Sequence, residues 1–410
     1  MGLDVKRRPS LRTVRWLTGM VVVAAVILGA VVVRGARDDR VQRVTAEGEW
    51  ANFDTAPLPP RAFPLIAWTG REVVVFGGGQ VPGDGKVVHA LDDGAVYDPV
   101  EGAWRPMAEP PFEPPLAGPV GTWTGSELLV VGAPCEDLPV EDAAQWNCSP
   151  GGLRAGAFDP VENSWREVDL PASLGRDAHG RSVQAIGSTS QGSLFVMEGR
   201  YWLARSDDRW AELPSPPIKA RSLCLVGDRL LAVDYTDDAT YEDQLQAEEE
   251  AGGEVTRADP TPPDQQSAMV AATLDLPGSS WETIPRRDTK GIAPPYLNST
   301  CAPDGAYVFS AGASDDPATA YAHYNAITEE WKPIAPPAGR PNVSSPSAFV
   351  GGHLVVWGDS LLQYDPKTNR WVERSNVQPP TVVVPADERA LLYHSPVGDQ
   401  PTTQFDTFAP

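Results

Sequence analysis

Tyr97-Asp-Pro-Val-Glu-Gly-Ala-Trp104 decides the fold, because the chain writes it again as Phe158-Asp-Pro-Val-Glu-Asn-Ser-Trp165, Tyr324-Asn-Ala-Ile-Thr-Glu-Glu-Trp331 and Tyr364-Asp-Pro-Lys-Thr-Asn-Arg-Trp371. In each copy an aromatic stands seven residues before a tryptophan, with turn formers between them. Leu203 to Trp210 and Leu274 to Trp281 keep the spacing without the aromatic. Such a segment predicts two antiparallel strands joined by a tight turn, with its two ends facing one layer. Upstream of every copy lies a second hairpin, carried by Glu72-Val-Val-Val-Phe-Gly-Gly-Gly79, Glu127-Leu-Leu-Val-Val-Gly132, Ser193-Leu-Phe-Val-Met197, Arg229-Leu-Leu-Ala-Val233, Ala306-Tyr-Val-Phe-Ser-Ala-Gly312 and His353-Leu-Val-Val-Trp-Gly358. Four strands per unit predict propeller blades.

The six units resemble kelch repeats, whose pattern is a diglycine after the second strand, an aromatic in the third and a tryptophan in the fourth. Gly77-Gly78 matches the diglycine, while several copies keep one glycine. The resemblance implies an all-β propeller over residues 48–410. Its ends set the blade count. Gly48-Glu-Trp50 reads as an orphan fourth strand, while Thr381-Val-Val-Val-Pro, Ala390-Leu-Leu-Tyr-His and Gln404-Phe-Asp-Thr-Phe408 read as the three strands it lacks. A seventh blade built from both termini closes the ring and removes open sheet edges. Seven blades in about 360 residues gives about 51 residues each, close to the kelch period. Six blades with unstructured ends is the alternative.

The chain has 410 residues, 42 of them Pro and 37 Gly, and 41% hydrophobic residues. This composition suits many short strands and turns and excludes a helix bundle. Residues 1–15 form a basic N-terminus with Lys6, Arg7, Arg8, Arg12 and Arg15, and residues 16–33 form an uncharged apolar run long enough to cross a bilayer. Residues 34–47 are a linker carrying Arg34, Arg37, Arg40 and Arg43 beside Asp38 and Asp39. The basic flank places the N-terminus in the cytoplasm and the propeller outside. A cleaved signal peptide, giving a secreted protein, is the competing reading. The net charge is −22; without the nine Lys/Arg and three Asp before residue 44 it is −28, which repels nucleic acid.

Cys135 and Cys148 fall in one insertion and are expected to bridge it; Cys224 and Cys301 hold equivalent places in neighbouring blades and are expected to bridge them. No cofactor is implied. The propeller of the galactose-oxidase type of copper radical oxidase is also kelch-like, but its chemistry needs converging imidazoles and tyrosines, and the five His here are assigned to separate blades. Loops joining second to third strands, and those joining blades, emerge on one face of a propeller. Two long second-to-third insertions are expected there: the cysteine loop, and the acidic segment 234–266, a solvated loop with calcium binding as the alternative. Arg61, Arg181, Arg221 and Arg340 are expected in the interblade loops, where they could form a fork for an anionic protein or glycan or pair with nearby acids. The functional expectation is a monomeric, membrane-anchored, non-catalytic binding module; a metal-independent sugar-active enzyme such as a mutarotase or epimerase is the alternative.

Overall fold

Val73–Phe76 is buried at all four residues, which is what a strand sandwiched between neighbouring sheets on both faces requires. The computed structural model describes residues 50–52, 56–80, 87–135, 137–139, 152–174, 183–218, 220–235, 268–288, 297–310, 321–337, 346–358, 360–374, 380–394 and 404–410. The expected basic terminus, the apolar run at 16–33 and the linker lie outside these. Among the described residues no helix is long and apolar enough to cross a membrane.

Seven four-stranded antiparallel sheets form a seven-bladed propeller. Blade I comprises Leu65–Trp68, Val73–Phe76, Gly94–Asp98 and Ala103–Pro106, from innermost to outermost. Blades II to VI repeat this order, with first strands at Leu116–Trp123, Val183–Thr189, Ser222–Val226, Leu297–Ala302 and Ser347–Val350. Blade VII takes Val382–Ala386, Arg389–His394 and Gln404–Phe408 from the C-terminus, and Trp50–Asn52 as its outer strand. Trp50 pairs with Phe408. Closure is thus achieved by the N-terminal strand, and seven apolar clusters fill the seven blade interfaces. Burying both faces of every sheet supplies the dominant favourable term in folding.

The repeat motif works through three contacts. The Asp or Asn after the aromatic caps its turn: Asp98 Oδ1 accepts from the Val100 and Glu101 N–H, and Asp159 and Asn325 do the same in their blades. The aromatic and the Trp are cross-strand partners with ring centroids 5.0–5.2 Å apart in blades I, II, V and VI. Finally, the indole N–H reaches the preceding blade. Trp165 donates to Ala108 O (3.0 Å), Trp210 to Asp169 O (2.9 Å), Trp281 to Pro214 O (2.7 Å) and Trp371 to Ala335 O (2.6 Å). Each acceptor lies four residues beyond the preceding blade's own Trp, at positions 104, 165, 210 and 331. Asn163 and Asn369, two residues before their Trp, accept the N–H of the same Ala108 and Ala335. Trp331 departs from these four, its buried Nε1 having no partner among the described residues.

One expected copy slips. In blade III Trp210 pairs with Ala204, not with Leu203, because the turn between them spans five residues where blade I uses four. A one-residue change of register sends alternate side chains to the opposite face. Leu203 accordingly packs towards blade IV while Trp210 still packs towards blade II.

The indole clamp predicts a difference between two like substitutions. Trp371→Phe removes a donor that serves the Ala335 carbonyl, whereas Trp331→Phe removes an N–H without an acceptor. Trp371→Phe is expected to destabilise by about 1 kcal/mol more than Trp331→Phe, read as the difference between their denaturant midpoints.

Candidate functional site

Second-to-third and blade-to-blade connections share one face, here called the loop face; the tight hairpins within blades occupy the turn face. Three segments of the loop face pair with one another outside the seven blades. Gly79–Gln80 and Val87–Ala90, both in the blade I insertion, and Asp137–Pro139 from the cysteine loop of blade II form a three-stranded antiparallel sheet. A small cluster of Ala117, Ala133 and Cys135, with Ala90 against it, seats this sheet on blade II. Cys135 has no free thiol; the expected Cys135–Cys148 bridge involves Cys148, outside the described residues. The blade I insertion is a third elaboration of the loop face, which the sequence reading missed.

Gly77 and Gly78 allow the chain to leave blade I at this point. Both have positive φ (62° and 93°), and a Cβ on Gly78 would stand 2.7 Å from Ala62 O. Arg61 fixes the same corner. It is 1% exposed, its Nη1 donates to Gly77 O at 3.0 Å, and its Nη2 pairs with Asp93 at 2.9 Å. Burial lowers the Arg61 pKa from its ordinary value and the Asp93 carboxylate works against that. The Arg61 carbonyl in turn accepts the Tyr393 O–H from blade VII, tying the closing interface to this corner. Arg61 is therefore committed within the fold and offers no free edge to a ligand.

Arg221, at the start of blade IV, repeats the arrangement. Its Nε lies 3.3 Å from Asp234, whose carboxylate is 5% exposed and stands at the root of the acidic loop. Both described arginines of the expected fork thus pair with an acid of their own blade. Arg181, Arg340 and the acidic loop beyond Tyr235 lie outside the described residues. Pairing with nearby acids was one of the two readings of these arginines; that Asp93 is the partner of Arg61 was not legible, because the two are 32 residues apart.

Cys224 and Cys301 are disulfide-bonded, with Cα atoms 5.2 Å apart. They lie on the innermost strands of blades IV and V and staple neighbouring blades. Along the innermost strands, the hydroxyls of Ser222 and Ser299 bond to each other between blades IV and V, Thr300 donates to Ser347 at 2.6 Å between blades V and VI, and Thr122 and Ser188 share a 2.9 Å bond between blades II and III. Among the described residues no group of three or more His, Cys, Asp or Glu could hold a metal. His323, His353 and His394 belong to blades V, VI and VII, and His89 to the extra sheet; His179 lies outside the described residues. His323 is stacked on Tyr307 at 4.4 Å and lies 3.3 Å from Asp304. Compared with known proteins, the chain matches no protein-family model and no characterised sequence at a significant level.

Two measurements test these assignments. Arg61→Ala is expected to cost roughly 2–3 kcal/mol of stability, because charge-assisted bonds at a buried corner are lost, and Arg61→Lys should recover only part of it since an ammonium cannot serve Gly77 and Asp93 in one plane. For His323, burial holds the pKa below its ordinary 6.5, outweighing the opposing pull of Asp304. The unfolded chain therefore binds this proton first as pH falls. The stability contributed is full above about 6.5 and is lost as pH drops towards the lower, folded value. The unfolding midpoint should fall between pH 7 and pH 5, and by less in His323→Gln.

Proposed function

We propose that this chain is a kelch-type, membrane-anchored binding propeller, held outside the cytoplasm and without catalysis, that takes a protein ligand on its loop face. One observation carries the reading: the three-stranded sheet formed by insertions of blades I and II. It belongs to no blade and leaves all seven interfaces unchanged. Ordered backbone that does not serve the core, on the face where loops of several blades converge, is what a recognition surface needs. Gln80 and His89 are exposed on it.

The path of the chain supports the orientation. Outer strands run from the turn face to the loop face, so Trp50–Asn52 enters the ring from the turn face. A tether of sixteen residues, 34–49, between the apolar run and Trp50 reaches at most about 55 Å. A tether attached at the turn face leaves the loop face unobstructed. The Cys224–Cys301 bridge fits an oxidising compartment.

The test has two arms. A reporter that is active only outside the cytoplasm, fused after Pro410, should be active. A photo-crosslinking residue at Gln80 should yield a discrete protein adduct in intact cells, and one at Glu101 on the turn face should not. An inactive external reporter, or no adduct at Gln80, overturns the reading.

A further inference from the structure

Blade III departs from the packing pattern of blades I, II and V, and the departure leaves a cleft. The third strands of blades I, II and V place a small residue two positions before the aromatic: Ala95 and Tyr97, Gly156 and Phe158, Ala322 and Tyr324. Blade III inverts the order. Trp202 stands at the inner position, buried and with Arg200 over its ring at 5.3 Å, while Ala204 faces Trp210 where a ring stands elsewhere. The apolar volume has moved away from the turn face. What opens beside Trp210, between blades II and III on that face, is a cleft of about 160 Å³.

Its walls are of two kinds. Leu129, Ala157, Val168, Ala204 and the Trp210 ring supply an apolar surface; Thr189, Ser190, Gln191, Ser193 and Ser206 supply hydroxyls and an amide. The polar wall is held in place. Arg166 donates to both Glu127 oxygens at 2.8 Å and to Asp208 at 2.7 Å, locking the facing turns of the two blades. The Ser190 N–H bonds Asp228 at 2.9 Å, and Ser193 joins Ser188 and Thr122 in a chain of hydroxyls with 2.9 Å links. Four charged side chains line the cleft, Glu127 and Asp208 against Arg166 and Arg205, so their formal charges cancel.

We infer that this cleft binds a neutral sugar ring. A pyranose has an apolar C–H face and a rim of hydroxyls, matching a lining that combines an indole with hydroxyls and an amide. The balanced lining gives no advantage to an anionic or cationic ligand. The volume suits one ring and falls well below the roughly 300–1,000 Å³ of sites for larger ligands. The site lies on the opposite face from the extra sheet and stands independently of the protein-binding reading.

The full chain in lipid nanodiscs can be titrated with methyl α-D-glucopyranoside, methyl β-D-galactopyranoside and N-acetylglucosamine, with glucuronate as the charged comparison, by ligand-observed saturation-transfer NMR. At least one neutral sugar binds saturably, and glucuronate binds at least tenfold more weakly. Ala204→Tyr, which returns the ring found in blades I, V and VI, fills the cleft and weakens binding at least tenfold with its unfolding midpoint preserved. Gln191→Ala, an exposed change at the lip, weakens it at least threefold and decides the matter if Ala204→Tyr does not fold. Absence of saturable binding by all three neutral sugars, a preference for glucuronate, or binding unaltered in the folded variants overturns the site.

Discussion

Among the described residues, four of the seven sheets are tied to the one before by an indole N–H. In blades II, III, IV and VI the tryptophan at the start of the outer strand donates to a backbone carbonyl four residues past the preceding blade's tryptophan. The acceptor lies in the chain that has just left one blade and is heading for the next. A carbonyl there would otherwise have to find water at a crowded rim, and an unserved buried carbonyl is costly. The same side chain covers the outer edge of an apolar interface, so one residue type does two jobs, and the interval between tryptophans becomes the interval between blades.

This coupling explains why the architecture could be read from local pattern. The aromatic, the capping Asp and the Trp fall within eight residues, and each is interpretable from turn chemistry and strand alternation alone. The closing blade was legible for the same reason, since Trp50 and Phe405-Asp406 are separated halves of the motif. Features made by long-range pairing were not legible. Gly79–Gln80, Val87–Ala90 and Asp137–Pro139 are too short to announce themselves as strands and exist because insertions of two blades meet. Pairing with an acid was one of the two readings open for Arg61, but the identity of the partner was not legible, because Asp93 reaches it only after the blade I insertion has folded back. The Cys224–Cys301 bridge was accessible by counting, since equivalent places on adjacent inner strands lie within bonding reach.

The cleft between blades II and III lies between these extremes. Its signal, Trp202-Leu203-Ala204 where blades I, II and V write a small residue two positions before an aromatic, is present in the sequence. It was masked by the retained seven-residue interval from Leu203 to Trp210, which suggested an intact repeat. Only the five-residue turn shows that the interval joins residues on opposite faces. Departures from an otherwise consistent pattern are where a repeat protein can acquire a site without loss of its scaffold.

The terminal closure also sets a timetable. Trp50 and Phe408, paired in blade VII, are 358 residues apart in the chain. At about 5–20 residues per second of synthesis, the first strand made waits on the order of 20–70 s before its partner exists. During that interval Tyr97 and Trp104 of blade I lack the blade VII surface that covers them in the finished ring. Between the synthesis of Trp50 and that of Phe408 the nascent protein therefore carries an open apolar interface, and its yield depends on what shields that surface until the pairing strand arrives.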